Sequence, residues 1–199
     1  MIGAGQSNEF DSGLLKEHEH SPAMTAAVVW LTGLSGSGKS SIAEWVAAEL
    51  RARGLPVETL DGDVIRRILP NTGFGKADRD AHVKRAGYLA SRLEFHGVTV
   101  IASFVSPDRE SRDFVRRLCR NFVEVHVATP LEECERRDAK GLYAKARRGD
   151  IWGFAGITDP YEPPISPELV VDTSRMSIEE AGRRVLDVLD VPHRQTERA

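Results

Sequence analysis

The stretch Ala27-Val28-Val29-Trp30-Leu31-Thr32-Gly33-Leu34-Ser35-Gly36-Ser37-Gly38-Lys39-Ser40 decides the fold. Ala27–Leu31 is a short apolar run ending at a glycine-rich turn, the pattern of a buried parallel strand. Gly33 to Ser40 then fits G-x-x-x-x-G-K-[ST] without a mismatch. Glycine lets the backbone wrap close to phosphate oxygens, so that successive N–H groups donate to them. The helix that opens near Lys39 aims its positive end at the same anion. Residues 39–53 place Ile42, Ala43, Val46 and Leu50 on one helical face, and Gly54 stops that helix. With strand and helix both in place, Gly33, Leu34, Ser35, Gly36, Ser37, Gly38, Lys39 and Ser40 form a nucleoside triphosphate cradle. Lys39 is placed to reach the β- and γ-phosphates, and the Ser40 hydroxyl to join a Mg²⁺ shell.

Outward from this loop the chain alternates strands and helices. Val57–Leu60, Val98–Ser103, Phe122–Val127 and Glu168–Val171 read as further strands. Val83, Ala86, Leu89, Ala90 and Leu93 repeat at helical spacing between Asp78 and His96, closed by Gly97. Helices are also expected over about Asp108–Arg120, from near Pro130 with the proline at the first helical position, and over Ser177–Leu189. Such alternation means an α/β fold with a parallel sheet covered on both faces. Residues 138–167 break the rhythm, with glycine and proline interleaved among aromatic and basic side chains, and read as a functional lid. Residues 1–25 read as a disordered tail and 191–199 as a C-terminal tail, around a single domain spanning 26–190.

Composition narrows the function. The chain has 199 residues, 27 Lys plus Arg against 30 Asp plus Glu, and a formal net charge of −3. Residues 1–25 hold Lys16 against Glu9, Asp11, Glu17 and Glu19, so the remainder is neutral. A neutral body is not built to hold nucleic acid by bulk charge. No run approaches the roughly 18 apolar residues of a membrane span, and the N-terminus lacks a secretory pattern. Cys119 and Cys134 are neither a disulfide framework nor a zinc set, which suits a cytoplasmic protein.

A phosphate loop alone does not choose among motors, switches and kinases. No Asn/Thr-Lys-x-Asp guanine-reading segment is present. The second strand ends in Leu60-Asp61-Gly62-Asp63, two carboxylates where ligands of open α/β sheets gather. One could accept a hydroxyl proton during phosphoryl transfer and the other hold a metal-bound water, or both could be helix-capping residues of a solvated turn. Arg66 and Arg67 follow within one helical turn and suit an anionic acceptor, so a small-molecule kinase is the expected class.

The residues that carry this expectation resemble the adenylyl-sulfate kinase (adenosine 5′-phosphosulfate kinase) family. Besides the phosphate loop, the likeness covers Asp61-Gly62-Asp63-Val64-Ile65-Arg66, Gly73-Phe74, Asp78-Arg79 and Ser103-Phe104-Val105-Ser106-Pro107. It continues through Lys140-Gly141-Leu142-Tyr143-Ala144-Lys145-Ala146-Arg147 and Phe154-Ala155-Gly156-Ile157. The resemblance implies a three-layer P-loop kinase fold with a mainly parallel five-stranded sheet and a lid. It implies transfer of the ATP γ-phosphoryl to the ribose 3′-hydroxyl of adenosine 5′-phosphosulfate, with Mg²⁺, in a homodimer.

Carried over by position, Asp63 is the base and Lys140 neutralises charge on the transferring group. Arg66 and Arg79 grip the phosphosulfate, and Phe74 and Phe154 sandwich the adenine. Asp61, Val105 and His82 line the acceptor site. Ser106 is expected to bind the acceptor first and to serve as a phosphorylated nucleophile second, because no base adjoins it in sequence. The chain departs from the usual family pattern at His82, where asparagine is common, and at Ile68, Asp108 and Ala155. Those departures keep open a different nucleotide acceptor, and a non-catalytic ATP-binding regulator is the remaining alternative.

Overall fold

The computed structural model describes residues 25–69, 73 and 75–190. The expected tails, Thr25 excepted, fall outside these residues, as does Phe74. In chain order the elements are β1 (Val28–Thr32), α1 (Lys39–Ala52), β2 (Val57–Asp61), α2 (Gly62–Ile68), α3 (Lys76–Phe95) and β3 (Thr99–Ser103). They continue as α4 (Arg109–Leu118), β4 (Phe122–Val127), α5 (Leu131–Arg137), α6 (Leu142–Arg147), β5 (Leu169–Val171) and α7 (Ile178–Asp190).

The five strands form one sheet in the order β2-β3-β1-β4-β5, and every pairing is parallel. β1 is buried throughout, so both of its faces must be covered by apolar layers. Val29 and Leu31 point into one layer with Ile42, Val46 and Leu50 of α1 and Val185 and Leu189 of α7. Val28 and Trp30 point into the other, with Val83 and Ala90 of α3 and Val115 of α4. The alternation along a strand therefore assigns the two helical layers. No described helix is long and apolar enough to cross a membrane.

β1 lies between β3 and β4; the crossover from β1 runs to β2 on one side of it, and the crossover from β3 runs past it to β4 on the other. In such a sheet a crevice opens at the carboxyl ends of the central strands. There β1 delivers the phosphate loop, β2 delivers Asp61 and Asp63, and β3 delivers Ser103 and the segment to Pro107.

The expected strands and long helices match the observed ones to within about two residues, and the limits of Phe122–Val127 are the same. Pro130 is not the first residue of its helix. Its extended backbone, φ −55° and ψ 147°, makes it the N-cap, and its carbonyl accepts from the N–H groups of Glu133 and Cys134. The segment 138–167 holds a helix of its own, α6.

Candidate active site

The phosphate loop needs glycine for space as well as for conformation. Gly33 has φ 149°, and a Cβ there would stand 2.5 Å from the Val127 carbonyl oxygen. Gly36 has φ 75° and would meet the Cys134 carbonyl at 3.1 Å. The loop is braced from behind where Thr129 and Thr173 donate to the Ser37 carbonyl at 3.0 and 2.8 Å. Arg137 of α5 donates to the Gly36 carbonyl and to Thr173.

Lys39 is buried beneath this loop and donates from Nζ to the Leu34 carbonyl at 2.6 Å. Burial pulls its pKa from 10.5 to about 8, with Cys134 and the carboxylates of Asp63 and Asp61 opposing the shift only in part. Ser40 donates to Asp61 Oδ2 at 2.9 Å, and Ser103 donates to the same oxygen at 3.0 Å. Asp61 Oδ1 accepts from the backbone N–H of Asp63 and Val64, capping α2. Burial acts against the Asp61 carboxylate, but these four donors together hold it below its ordinary pKa. The capping reading of Asp61 and its place in the site are thus both present in one side chain.

Asp63 has no such backbone role for its carboxylate, which faces the lid and pairs with Lys140 Nζ at 2.5 Å. The lid is positioned by its own residues. Asp138 accepts from the N–H of Tyr143 and Ala144 and so caps the start of α6. Tyr143 is buried, donates from its hydroxyl to the Ser35 carbonyl at 2.9 Å, and meets Phe154 edge-on at 5.0 Å. Tyr143 therefore ties lid and phosphate loop together, with Lys140 one turn before it.

A pocket beside Asp63 is lined by Arg66, Arg79, His82, Phe104 and Val105, among others. Arg66 donates to the Gly73 carbonyl, and burial lowers its pKa despite nearby Asp63. Arg79 donates to the Gly153 carbonyl at 2.7 Å and pairs with Asp159 at 2.6 Å, fastening α3 to the lid. The structure thus brings together Lys39, Ser40, Asp61, Asp63, Arg66, Arg79, His82, Val105, Ser106 and Lys140 around one crevice, with Phe154 on the lid.

Ser106 lies at the pocket wall, but its hydroxyl is committed elsewhere. It accepts from the Trp30 indole N–H at 3.1 Å and donates to Thr32 Oγ1 at 2.9 Å. Its backbone is in the left-handed region, φ 37°, rare for a residue with a side chain. The buried guanidinium of Arg112 holds it there, donating to the Ser106 carbonyl, to the Glu162 carbonyl at 2.7 Å and to Glu124 at 2.8 Å. Tyr161 of the lid shares a hydrogen bond with Thr32 at 3.1 Å. A hydroxyl so engaged has no base among its described hydrogen-bond partners and is tied into the loop by them. Ser106→Ala is expected to keep kcat within roughly tenfold, the outcome of direct in-line transfer, which needs positioning and no covalent step. It should destabilise the fold by about 1–3 kcal/mol, because the Trp30 N–H loses its acceptor. Retained turnover in the purified variant checks the first; a loss on the order of 10³-fold would restore the nucleophile reading.

The sequence alone assigns no role to Trp30, Thr32, Arg112, Tyr161 or Arg137, and marks Tyr143 only as part of the Lys140–Arg147 motif. Glu124, between the apolar Val123 and Val125 of a strand, is the available signal, since a buried carboxylate demands a cationic partner.

Residues 25–172 match the family model described as adenylylsulphate kinase. An adenylyl-sulfate kinase of Synechococcus sp. (strain JA-2-3B'a(2-13)) is 54% identical over 162 residues, covering 81% of this chain and 93% of the relative. Among solved structures, the Mycobacterium tuberculosis APS kinase in complex with AMPPNP and APS gives a TM-score of 0.80 at 41% identity. That alignment covers 84% of this chain and 99% of the other. A hexameric APS kinase from Thiobacillus denitrificans gives 0.64 at 35% identity, covering 84% of this chain and 29% of that longer one.

Proposed function

The chain belongs to the adenylyl-sulfate kinase family, and we propose that the crevice described above runs its reaction through Asp63, Lys39 and Lys140. The enzyme transfers the γ-phosphoryl group of ATP to the 3′-hydroxyl of adenosine 5′-phosphosulfate, the phosphorylation step of sulfate activation. The observation that carries the residue assignment is the Asp63–Lys140 pair, a base and a cation held together between the phosphate loop and a pocket containing two arginines.

In this reading the 3′-hydroxyl lies at Asp63, which takes its proton as the oxygen–phosphorus bond forms. The bond from the γ-phosphorus to the β–γ bridging oxygen breaks in line, and ADP leaves with that electron pair. Lys39 exchanges the Leu34 carbonyl for phosphate oxygens, and Lys140 turns from Asp63 toward the charge on the transferring group. Arg66 and Arg79 hold the phosphosulfate, guanidinium against oxyanion. Phe154 covers one face of the acceptor adenine, with Phe74 assigned to the other.

The donors at the loop mouth fit Mg²⁺. Ser40, Ser103 and Asp61 offer hard oxygen atoms within 3.4 Å of one another, the kind of set this ion takes while keeping several waters. Ser40 would hold the ion and Asp61 would orient water on it. When bound, the ion neutralises charge on the β- and γ-phosphates.

The same reading places one catalytic domain over 26–190 with its lid at 138–167, in the cytoplasm, where the free thiols of Cys119 and Cys134 stay reduced. A homodimer is the proposed assembly, and Tyr88, Leu89 and Phe95, exposed on α3, are apolar surface available to it.

Coupled turnover with ATP and adenosine 5′-phosphosulfate tests the assignment. Activity should require Mg²⁺ and vanish on chelation. Stronger turnover on another nucleotide would overturn the acceptor, and ATP binding without transfer to any acceptor would overturn the enzyme.

A further inference from the structure

A buried imidazole in the acceptor pocket uses only half of its hydrogen-bonding capacity. His82 on α3 is 2% exposed, and its Nε2 lies 3.0 Å from the Gly62 carbonyl oxygen. A carbonyl only accepts, so the proton of the neutral ring sits on Nε2. Nδ1 is then a bare lone pair, buried and without a partner among the described residues. Gly62 connects Asp61 to Asp63, so the Nε2–H bond also fixes the turn that presents the base. Phe104 closes the other side, with its ring 5.6 Å from the imidazole and its edge against Gly62.

The charges around this ring are unbalanced. From α2 it faces Asp63 and Arg66, and along its own helix Arg79 and Arg85, with Asp78 at the helix start. The lid contributes Asp159, already spent on Arg79, and Asp63 is already spent on Lys140. The segment from Phe104 to Pro107 brings no charge. Burial first, and then the Arg66 guanidinium, hold the His82 imidazole below its ordinary pKa. The pocket's own charges thus resist a further positive one.

An acceptor whose phosphate and sulfate are each ionised throughout the neutral range reverses that balance. We propose that Nδ1 of His82 takes up one proton from solvent when the anionic nucleotide fills the pocket, so that this enzyme binds its acceptor more tightly as pH falls. This rests on the acceptor assigned above and extends it to a property that the family's usual asparagine cannot have, since an amide does not titrate. The sign follows from linkage. Below the imidazole pKa of the free protein both states carry the proton, and above that of the complex neither does. Between the two, binding takes up a proton and affinity rises by at most about tenfold per pH unit of decrease.

Calorimetric titration with adenosine 5′-phosphosulfate in two buffers of different ionisation enthalpy reads the proton directly. Wild type should take up on the order of half a proton near pH 6, with a Kd roughly three- to tenfold lower at pH 5.5 than at 7.5. His82→Asn and His82→Gln should show no uptake and a Kd level within about twofold across that range. The glutamine amide can still donate to Gly62, which separates loss of titration from loss of the turn. Zero uptake by wild type, or an unchanged pH profile in both variants, overturns the proposal. Failure of the wild type to bind this nucleotide at any pH would instead remove the acceptor assignment, and the linkage with it.

Discussion

Asp63→Asn should lower kcat by roughly 10²- to 10⁴-fold, the range expected when a positioned general base is lost. The variant keeps the shape of the side chain and its backbone N–H, which donates to Asp61, so the cap of α2 survives. KM for ATP should stay within about threefold, because ATP is held by the loop from Gly33 to Ser40 and not by this carboxylate. The melting temperature should barely move, since Asp63 and Lys140 are both more than half exposed and exposed pairs contribute little to stability. Loss confined to kcat identifies an interaction made in the transition state. If Asp63→Asn instead kept more than about a tenth of wild-type kcat, positioning and charge would suffice and Asp63 would be only a partner for Lys140.

How much of this arrangement could be read before the fold was known depends on what each element needs. β1, the loop and α1 were legible because strand burial, glycine geometry and an apolar helical stripe all leave periodic marks. α2 was not, because its seven residues bury none of their number and leave no stripe to find. α6 was hidden for a related reason. It is six residues long, set in a glycine-rich segment, and held by Asp138 and Tyr143 instead of by an apolar face. Asp63 and Arg66 could be read as chemistry, since charged residues clustered at a strand end have few structural uses, whereas Lys140, between α5 and α6, was pointed to only by the family resemblance. Arg112 was not. It lies in a charged string with Arg109, Glu110 and Asp113, and only the fold selects it for burial against Glu124. The Ser106 hydroxyl shows the converse. Sequence placed it at the crevice, and the direction of its hydrogen bonds, toward Trp30 and Thr32, emerged only with the sheet.

Lys39→Met should show the opposite changes in function and stability. Turnover should fall on the order of 10³-fold or more, as when a preorganised donor to phosphoryl oxygens is removed. The ligand-free fold should nevertheless gain roughly 1–3 kcal/mol at pH 7. Burial has lowered the Lys39 pKa from 10.5 to about 8, so keeping its charge inside the empty protein costs stability. At pH 7 folded and unfolded chains are both protonated at this position, and the whole cost is present. Between about pH 8 and 10.5 only the unfolded chain keeps the proton, so wild-type stability recovers as pH rises and the advantage of the methionine shrinks. Denaturant unfolding of both proteins across this range measures the difference. ATP with Mg²⁺ should raise the wild-type midpoint by mass action and leave that of Lys39→Met nearly unmoved. A variant less stable than wild type at pH 7 without nucleotide would show that the Leu34 and Ser37 contacts already compensate the buried ammonium. If the variant is more stable, Lys39 is a charge kept under strain until phosphate arrives, and part of the nucleotide's binding energy comes from relieving it.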